Sequence, residues 1–302
     1  MSLAEAETAG LAIDEEEIVG RWRDAWRRLL GNRAAVAGLV FIGGFVAVAL
    51  FAPLIAPYSP TAQDLSIIRP GQVPGPSADH WMGVDQLGRD VLSRVVYGAR
   101  YSLLIGVVAL AFAATVGGLL GGLAGAIGGW VDAVVMRVTD MMLAIPGLLF
   151  AIGMAALLGR SLVTVMIAIG TVYTAQFARL LRASMLSQRE SDYALAARSL
   201  GVKRRRIVLS HVLPNSIAPV LVQGTLFLAT AIIDAAGLAF LGLGANDPAI
   251  PEWGRMLAET QTYLQHGPHA AIFPGLAIII CCLGFNLVGD GLREALDPKF
   301  RR

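Results

Sequence analysis

Lysine is nearly absent from this chain, which holds it only at Lys203 and Lys299. A phosphate-cradling loop ends in Gly-Lys-Ser or Gly-Lys-Thr; here a valine precedes one lysine and a proline the other. The chain therefore has no such loop of its own. Histidine is scarce as well. His80, His211, His266 and His269 fall into no His-Glu-x-x-His or similar zinc spacing, and no Gly-x-Ser-x-Gly nucleophile elbow occurs. The two cysteines, Cys281 and Cys282, are neighbours, a poor placement for a standard disulfide, and read as small apolar residues packed in a helix. No catalytic and no metal-ligating residue is expected, nor any cofactor bound by this chain, and no nucleic-acid partner.

Charge is also low, at 15% of residues against 56% hydrophobic, which excludes an ordinary soluble domain. The apolar residues come in long blocks. About 20 residues at 1.5 Å rise cross the hydrocarbon core, and a helix satisfies its own backbone there. Six blocks qualify, at 34–56, 102–127, 138–159, 161–178, 212–236 and 270–289. The expected class is an all-α integral membrane protein with six transmembrane helices. An even number of spans puts both termini on one side. With the termini inside, 18 of the 24 Lys and Arg residues lie on inside segments, so the positive-inside rule predicts cytoplasmic termini.

Before the first span, residues 1–20 are acidic and read as disordered. "RWRDAWRRLLGNR" then sets Trp22 and Trp26 among arginines, as an interfacial helix would. An acidic lead and the lack of a small-residue cleavage site make the first span an uncleaved helix. In the second span Gly117, Gly121, Gly125 and Gly129 recur every four residues, giving one face without side chains for close helix packing or for sliding. In the third, Arg137 and Asp140 can share a face, and Pro146 with Gly147 should kink the helix. Asp140 and Asp234 are candidates for a polar pathway, because ionisable residues in a span usually face a cavity or a partner. For each, the alternative is an interfacial anchor at a helix end.

The most charged run is "ALAARSLGVKRRRIVLSHVLPN", residues 194–215, between two apolar spans. "ALAARSLG" reads as a short helix stopped by Gly201, and "VKRRRIVLSH" as a second that enters the fifth span near Pro214. By charge alone such a block is a topology anchor or an acidic-lipid patch. Its spacing, however, is similar to the cytoplasmic signature of permease subunits of ATP-binding-cassette importers, which is Glu-Ala-Ala, three residues, Gly, nine residues, then Ile-x-Leu-Pro. Ala196, Ala197, Gly201, Leu213 and Pro214 match that register, with Leu195 at the Glu position and His211 at the Ile position. Glu190 and Asp192 lie about a turn earlier. Two more stretches, "HWMGVDQLGRDVLSRVVYGARYSLLIG" (80–106) and "GLAFLGLGANDPAIPEWGRML" (237–257), resemble the C-type subunit of the dipeptide and oligopeptide permease family, which also has nickel, glutathione and antimicrobial-peptide branches.

The resemblance implies a type I importer permease fold. Residues 1–31 would be a cytoplasmic tail with an interfacial helix, and 32–100 the first transmembrane helix with an external segment. Residues 101–290 would be a five-helix core with a coupling elbow at about 189–211, and 291–302 a cytoplasmic tail. It implies a B-type sister permease, two cytoplasmic ATPase subunits that hold ATP and Mg, an external substrate-binding protein, and a bacterial cytoplasmic (inner) membrane. ATPase coupling would fall to Tyr193, Leu195, Ala196, Ala197, Arg198, Leu200, Gly201, Leu213 and Pro214. A secondary transporter is the competing class, although the chain shows no convincing internal repeat of the kind such folds use.

Overall fold

The computed structural model describes residues 23–68 and 72–296. The acidic lead, Trp22 and the tail from residue 297 lie outside the described residues. Among the described residues the architecture is helical throughout, with no strand and one isolated bridge between Val84 and Asp90.

Residues 23–31 form helix α1. Asn32 ends it and caps α2 (Arg33–Leu50), its side chain accepting from the N–H groups of Ala34 and Ala35. The first span was expected to run to residue 56. It stops at Leu50 because Pro53 can only open a new turn, the short α3 (Ala52–Ile55).

Helix α4 (Val91–Ile127) starts eleven residues before the expected second span. At 37 residues it is ~55 Å long, well beyond a hydrocarbon core of about 30 Å. Hydropathy misplaces its start because the first turns carry Ser93 and Arg94, polar side chains that protein rather than lipid encloses. Asp90 caps it, accepting from the Ser93 N–H at 2.7 Å.

The third expected span is two helices. α5 (Gly129–Ala144) and α6 (Gly147–Leu158) meet at 92°. A proline pushes its predecessor out of the α region, and Ile145 is extended at φ −90°, ψ 129°; Pro146 also lacks the N–H that would continue the ladder. The kink predicted from Pro146 and Gly147 is thus a full corner.

The next helices are α7 (Leu162–Arg189), α8 (Asp192–Ser199), α9 (Arg204–Ile207), α10 (Leu213–Phe240), α11 (Trp253–Thr260) and α12 (His269–Leu296). Among the described residues five helices are long and apolar enough to cross a membrane, and six spans result if the bent α5–α6 pair is counted as one.

Packing is most extensive between α4 and α7, and glycine sets it. A Cβ on Gly117 would come within 2.4 Å of the Thr174 carbonyl oxygen, and one on Gly121 within 2.2 Å of the Ala178 oxygen. Gly125 lies against Met185. Gly129, expected on the same face, instead starts α5 beyond a break at Gly128. One apolar core joins Ala99, Ile232, Trp253, Tyr263 and Phe285. A second joins Ile105, Ala151, Ile169, Phe177 and Phe227. Cys281 and Cys282 are free thiols buried in α12, and Cys282 Sγ reaches the Ala229 carbonyl.

Candidate functional site

The elbow begins where α7 ends. Ser191 Oγ donates to the Gln188 carbonyl at 2.6 Å and turns the chain into α8, whose first residue, Asp192, complements the helix dipole. Gly201 stops α8 with φ +78°. Its N–H bonds the Arg198 carbonyl and the next N–H, of Val202, bonds that of Ala197, the paired closure of a Schellman motif.

The second arm is a continuous rod. α9 passes through one turn of π-helix at Val208–Val212 into α10. Pro214 offers no N–H to the carbonyl four residues back, and the turn widens so that the Leu213 N–H reaches the Val208 oxygen, five residues back. Asn215 Nδ2 and Ser216 Oγ donate to the carbonyls of His211 and Val212, each at 2.7 Å. Leu213 and Pro214 are therefore parts of the rod, not of its tip.

Ala194, Ile207, Val208 and Val212 form a small core with Leu181 and Met185 of α7, so the elbow is packed onto the membrane helices. Its outer face carries Tyr193, Leu195, Ala196 and Leu200, all exposed, with Leu200 at 83%; Arg198 is exposed too, but its guanidinium turns back to the end of α7, and Ala197 is half-buried beside Gly201. The Tyr193 hydroxyl donates to Gln188 Oε1 at 2.7 Å. Arginines lock the inner face: Arg189 donates to the Gly125 carbonyl, Arg198 to that of Arg189, and Arg204 to those of Ala126 and Ile127.

The two candidate pathway carboxylates are not together. Asp234 of α10 accepts from the Tyr173 hydroxyl of α7 at 2.9 Å, and a Tyr173–Phe227 edge contact supports the ring. Asp140 does not pair with Arg137 as the sequence spacing allowed. Its partner is Arg179 of α7 at 2.5 Å, because α7 passes close enough for an exposed guanidinium to reach it. A parallel bond, Arg182 to Asp132, ties α5 and α7 further along.

Sequence reasoning missed a third assembly. The stretches around 80–106 and 237–257 converge in a clasp above the helix ends. Arg89 bonds Asp85 at 2.6 Å and Glu259 at 2.7 Å, and Arg94 bonds Glu259 at 3.0 Å; both arginine side chains are at most 3% exposed. Arg255 completes the ring on Glu259 at 2.8 Å. These cations hold the Glu259 carboxyl below its usual range against the effect of burial. Trp253 is wholly buried, its N–H on Ser102 Oγ and its indole N–H on the Val95 carbonyl. Beside it Glu252 is buried with one oxygen unpartnered, and burial pushes its carboxyl up to about 7 while Arg255 pulls the other way. The signal was available as two groups of charges, 85/89/94 and 252/255/259, in a chain otherwise poor in charge.

Among the described residues no three His, Cys, Asp or Glu side chains converge as a metal site would require. The model of the binding-protein-dependent transport system inner membrane component family matches residues 117–302, from the glycine face of α4 through the elbow and onward.

The chain belongs to that family.

A second family model, the N-terminal transmembrane domain of oligopeptide transport permease C, matches residues 20–74 of this permease. Among its relatives is a dipeptide transport system permease protein of Alkalihalophilus pseudofirmus, 45% identical over 95% of this chain and 93% of that one. A glutathione transport system permease protein of Escherichia coli is 42% identical over 96% of this chain and 94% of that one. In fold, the permease is similar to a chain of the MetNI methionine ABC transporter in an inward-facing crystal form. The TM-score is 0.56 at 17% identity, over 67% of this chain and 96% of that one. The architecture is thus that of a type I importer permease.

Proposed function

We propose that this permease forms one half of an ATP-driven import pathway for di- or oligopeptides in a bacterial cytoplasmic membrane. A B-type sister permease supplies the other half, two cytoplasmic ATPase subunits hold ATP and Mg, and an external binding protein delivers the peptide. The chain itself hydrolyses nothing. Both termini are cytoplasmic in this reading, which rests on the inside excess of Lys and Arg.

The observation that carries the reading is mechanical continuity at the elbow. α8 is closed by Gly201, packed on α7, tied by arginines to the end of α4, and joined through α9 and the π turn to α10. A partner gripping the exposed Leu195–Leu200 face moves α7 and α10 with it. Swinging a two-state equilibrium from 1:99 to 99:1 needs about 5.5 kcal/mol of differential interaction, which a floppy tether cannot transmit. In the mechanism, ATP closes the ATPases, the docked elbows follow, and the membrane halves exchange inward-facing for outward-facing arrangements. Asp234 and Asp140 are proposed to border the pathway.

The glutathione relative supports a second substrate reading within the same class, a thiol tripeptide. Reconstitution with the sister permease, ATPases and binding protein, followed by a ligand scan for stimulated ATP hydrolysis and vesicle uptake, tests both. Uptake that resists vanadate but collapses with an ionophore overturns the importer reading in favour of a secondary transporter.

A further inference from the structure

A pocket of about 300 Å³ opens under the elbow, between α8, α9 and the end of α7. Arg189, Arg198 and Arg204 line it, with Val202, Ile207 and Val208 as the apolar wall. Three guanidinium groups around one small space repel one another, and Arg189 experiences both others as like charges. Glu190, next to Arg189 in the chain, carries the opposite charge, but it makes no ion pair with the three arginines among the described residues. The hydrogen-bond partners of the three guanidiniums are backbone carbonyls: Gly125 for Arg189, Arg189 for Arg198, and Ala126 and Ile127 for Arg204. Each bond uses one terminal nitrogen, so every guanidinium keeps other N–H donors. No carboxylate pairs with any of the three among the described residues.

We infer that this pocket is a binding site for a phosphate group. A guanidinium fork matches two phosphate oxygens, and a tetrahedral anion offers several faces to donors converging from different sides, which a single planar carboxylate does not. An anion of that charge also removes the mutual repulsion. Two sources share this chemistry, the headgroup of an anionic lipid and free phosphate. The surroundings favour the lipid. A Cβ on Gly128 would stand 4.0 Å from the Arg204 guanidinium; Ile127, which ends α4, is 51% exposed, and Trp130, in the first turn of α5, is 77% exposed. An exposed tryptophan three residues along the chain from the Ile127 carbonyl that holds Arg204 suits the headgroup level of a membrane.

The experiment uses the full chain in nanodiscs of mixed phosphatidylglycerol and phosphatidylcholine, with lipid retained after delipidation counted by native mass spectrometry. A parallel arm titrates inorganic phosphate against chloride at equal ionic strength and follows thermal unfolding. Phosphatidylglycerol should be retained over phosphatidylcholine, and Arg198→Gln or Arg204→Gln should weaken retention about tenfold, as losing a charge-assisted hydrogen bond does. Arg205→Gln, an exposed neighbour outside the pocket, should change nothing. A saturable phosphate-specific shift without lipid retention also supports the site and assigns it to the soluble anion. Three results overturn the inference. One is that neither probe differs from its control. Another is that Arg205→Gln weakens binding as much as the pocket variants. The third is that the assembled complex excludes both probes while the lone chain binds them, which gives the pocket to acidic side chains of an ATPase.

Discussion

The Tyr173 hydroxyl donates to Asp234 at 2.9 Å, joining α7 to α10 within two apolar stretches. No cation pairs with Asp234 among the described residues, so a neutral donor is what meets this carboxylate. Asp234→Asn is expected to cut transport severalfold while the complex still assembles, because an amide keeps the shape and the hydrogen bond. Tyr173→Phe, which leaves the carboxylate without this donor, should lower stability by roughly 1.5–3 kcal/mol. Uptake kinetics beside co-purification of the subunits decide it. Normal uptake in Asp234→Asn returns the residue to a packing role.

Gly201→Ala should lower stability by roughly 1 kcal/mol through its left-handed backbone alone, since a Cβ there meets no atom within 4 Å. Gly201→Leu should add a loss of coupling, with ATP hydrolysis continuing while uptake falls, because its bulk stands next to the Leu195–Leu200 face proposed above for docking. Thermal unfolding of both variants and the hydrolysis-to-uptake ratio of the second separate strain from docking. A ratio unchanged in Gly201→Leu argues against a coupling role.

Glu259→Gln should destabilise the chain by roughly 3–5 kcal/mol, because it leaves two almost fully buried arginines short of their shared counter-charge. Asp140→Asn removes an ion pair in which both side chains are more than half exposed, and should cost no more than about 1 kcal/mol. The two variants compared by thermal unfolding in the same nanodiscs test whether the clasp is structural. Equal losses would show that it is not.

Gly121→Ala is expected to disturb α4–α7 packing, with a cost of roughly 1–3 kcal/mol, because the added methyl meets the Ala178 carbonyl. Gly118→Ala, one position along, has only a Leu181 methyl at 4.0 Å and should be tolerated. Unfolding temperatures of the pair check this directly.

Glu252 predicts a pH dependence of unusual sign for a carboxylate. Burial makes the folded chain hold its proton more tightly, to about 7 against an ordinary 4.5, so its contribution to stability is greatest below the unfolded value and declines as pH rises to about 7. Glu252→Gln should therefore gain stability relative to the parent between about pH 5 and pH 8. A parent-to-variant difference that is flat across that range overturns the assignment.

Local chemistry made much of this legible. Pro146 after Ile145 announced a break, Gly201 after a helical run announced a left-handed stop, and the apolar blocks announced the long helices, because each effect acts within a few residues. What stayed hidden depended on distant partners. Asp140 faces Arg179 rather than Arg137, and Glu259 gathers arginines from more than 160 residues away. Arg94 sits in the first turn of a span, where hydropathy reads lipid exposure and the fold supplies burial. Within the run Arg204, Arg205 and Arg206, charge alone did not show that Arg204 donates to carbonyls at the end of α4, some 77 residues away.

The two thiols of α12 bear on how elbow motion can be followed. Both are buried, and they are the only cysteines in the chain. A cysteine placed at Leu200, which is 83% exposed at the elbow, would be the one accessible sulfhydryl for a spin label or a fluorophore. The protein thus carries a near-silent background for site-directed labelling. Distances from the elbow to a labelled partner could be read through the transport cycle without first replacing a native cysteine.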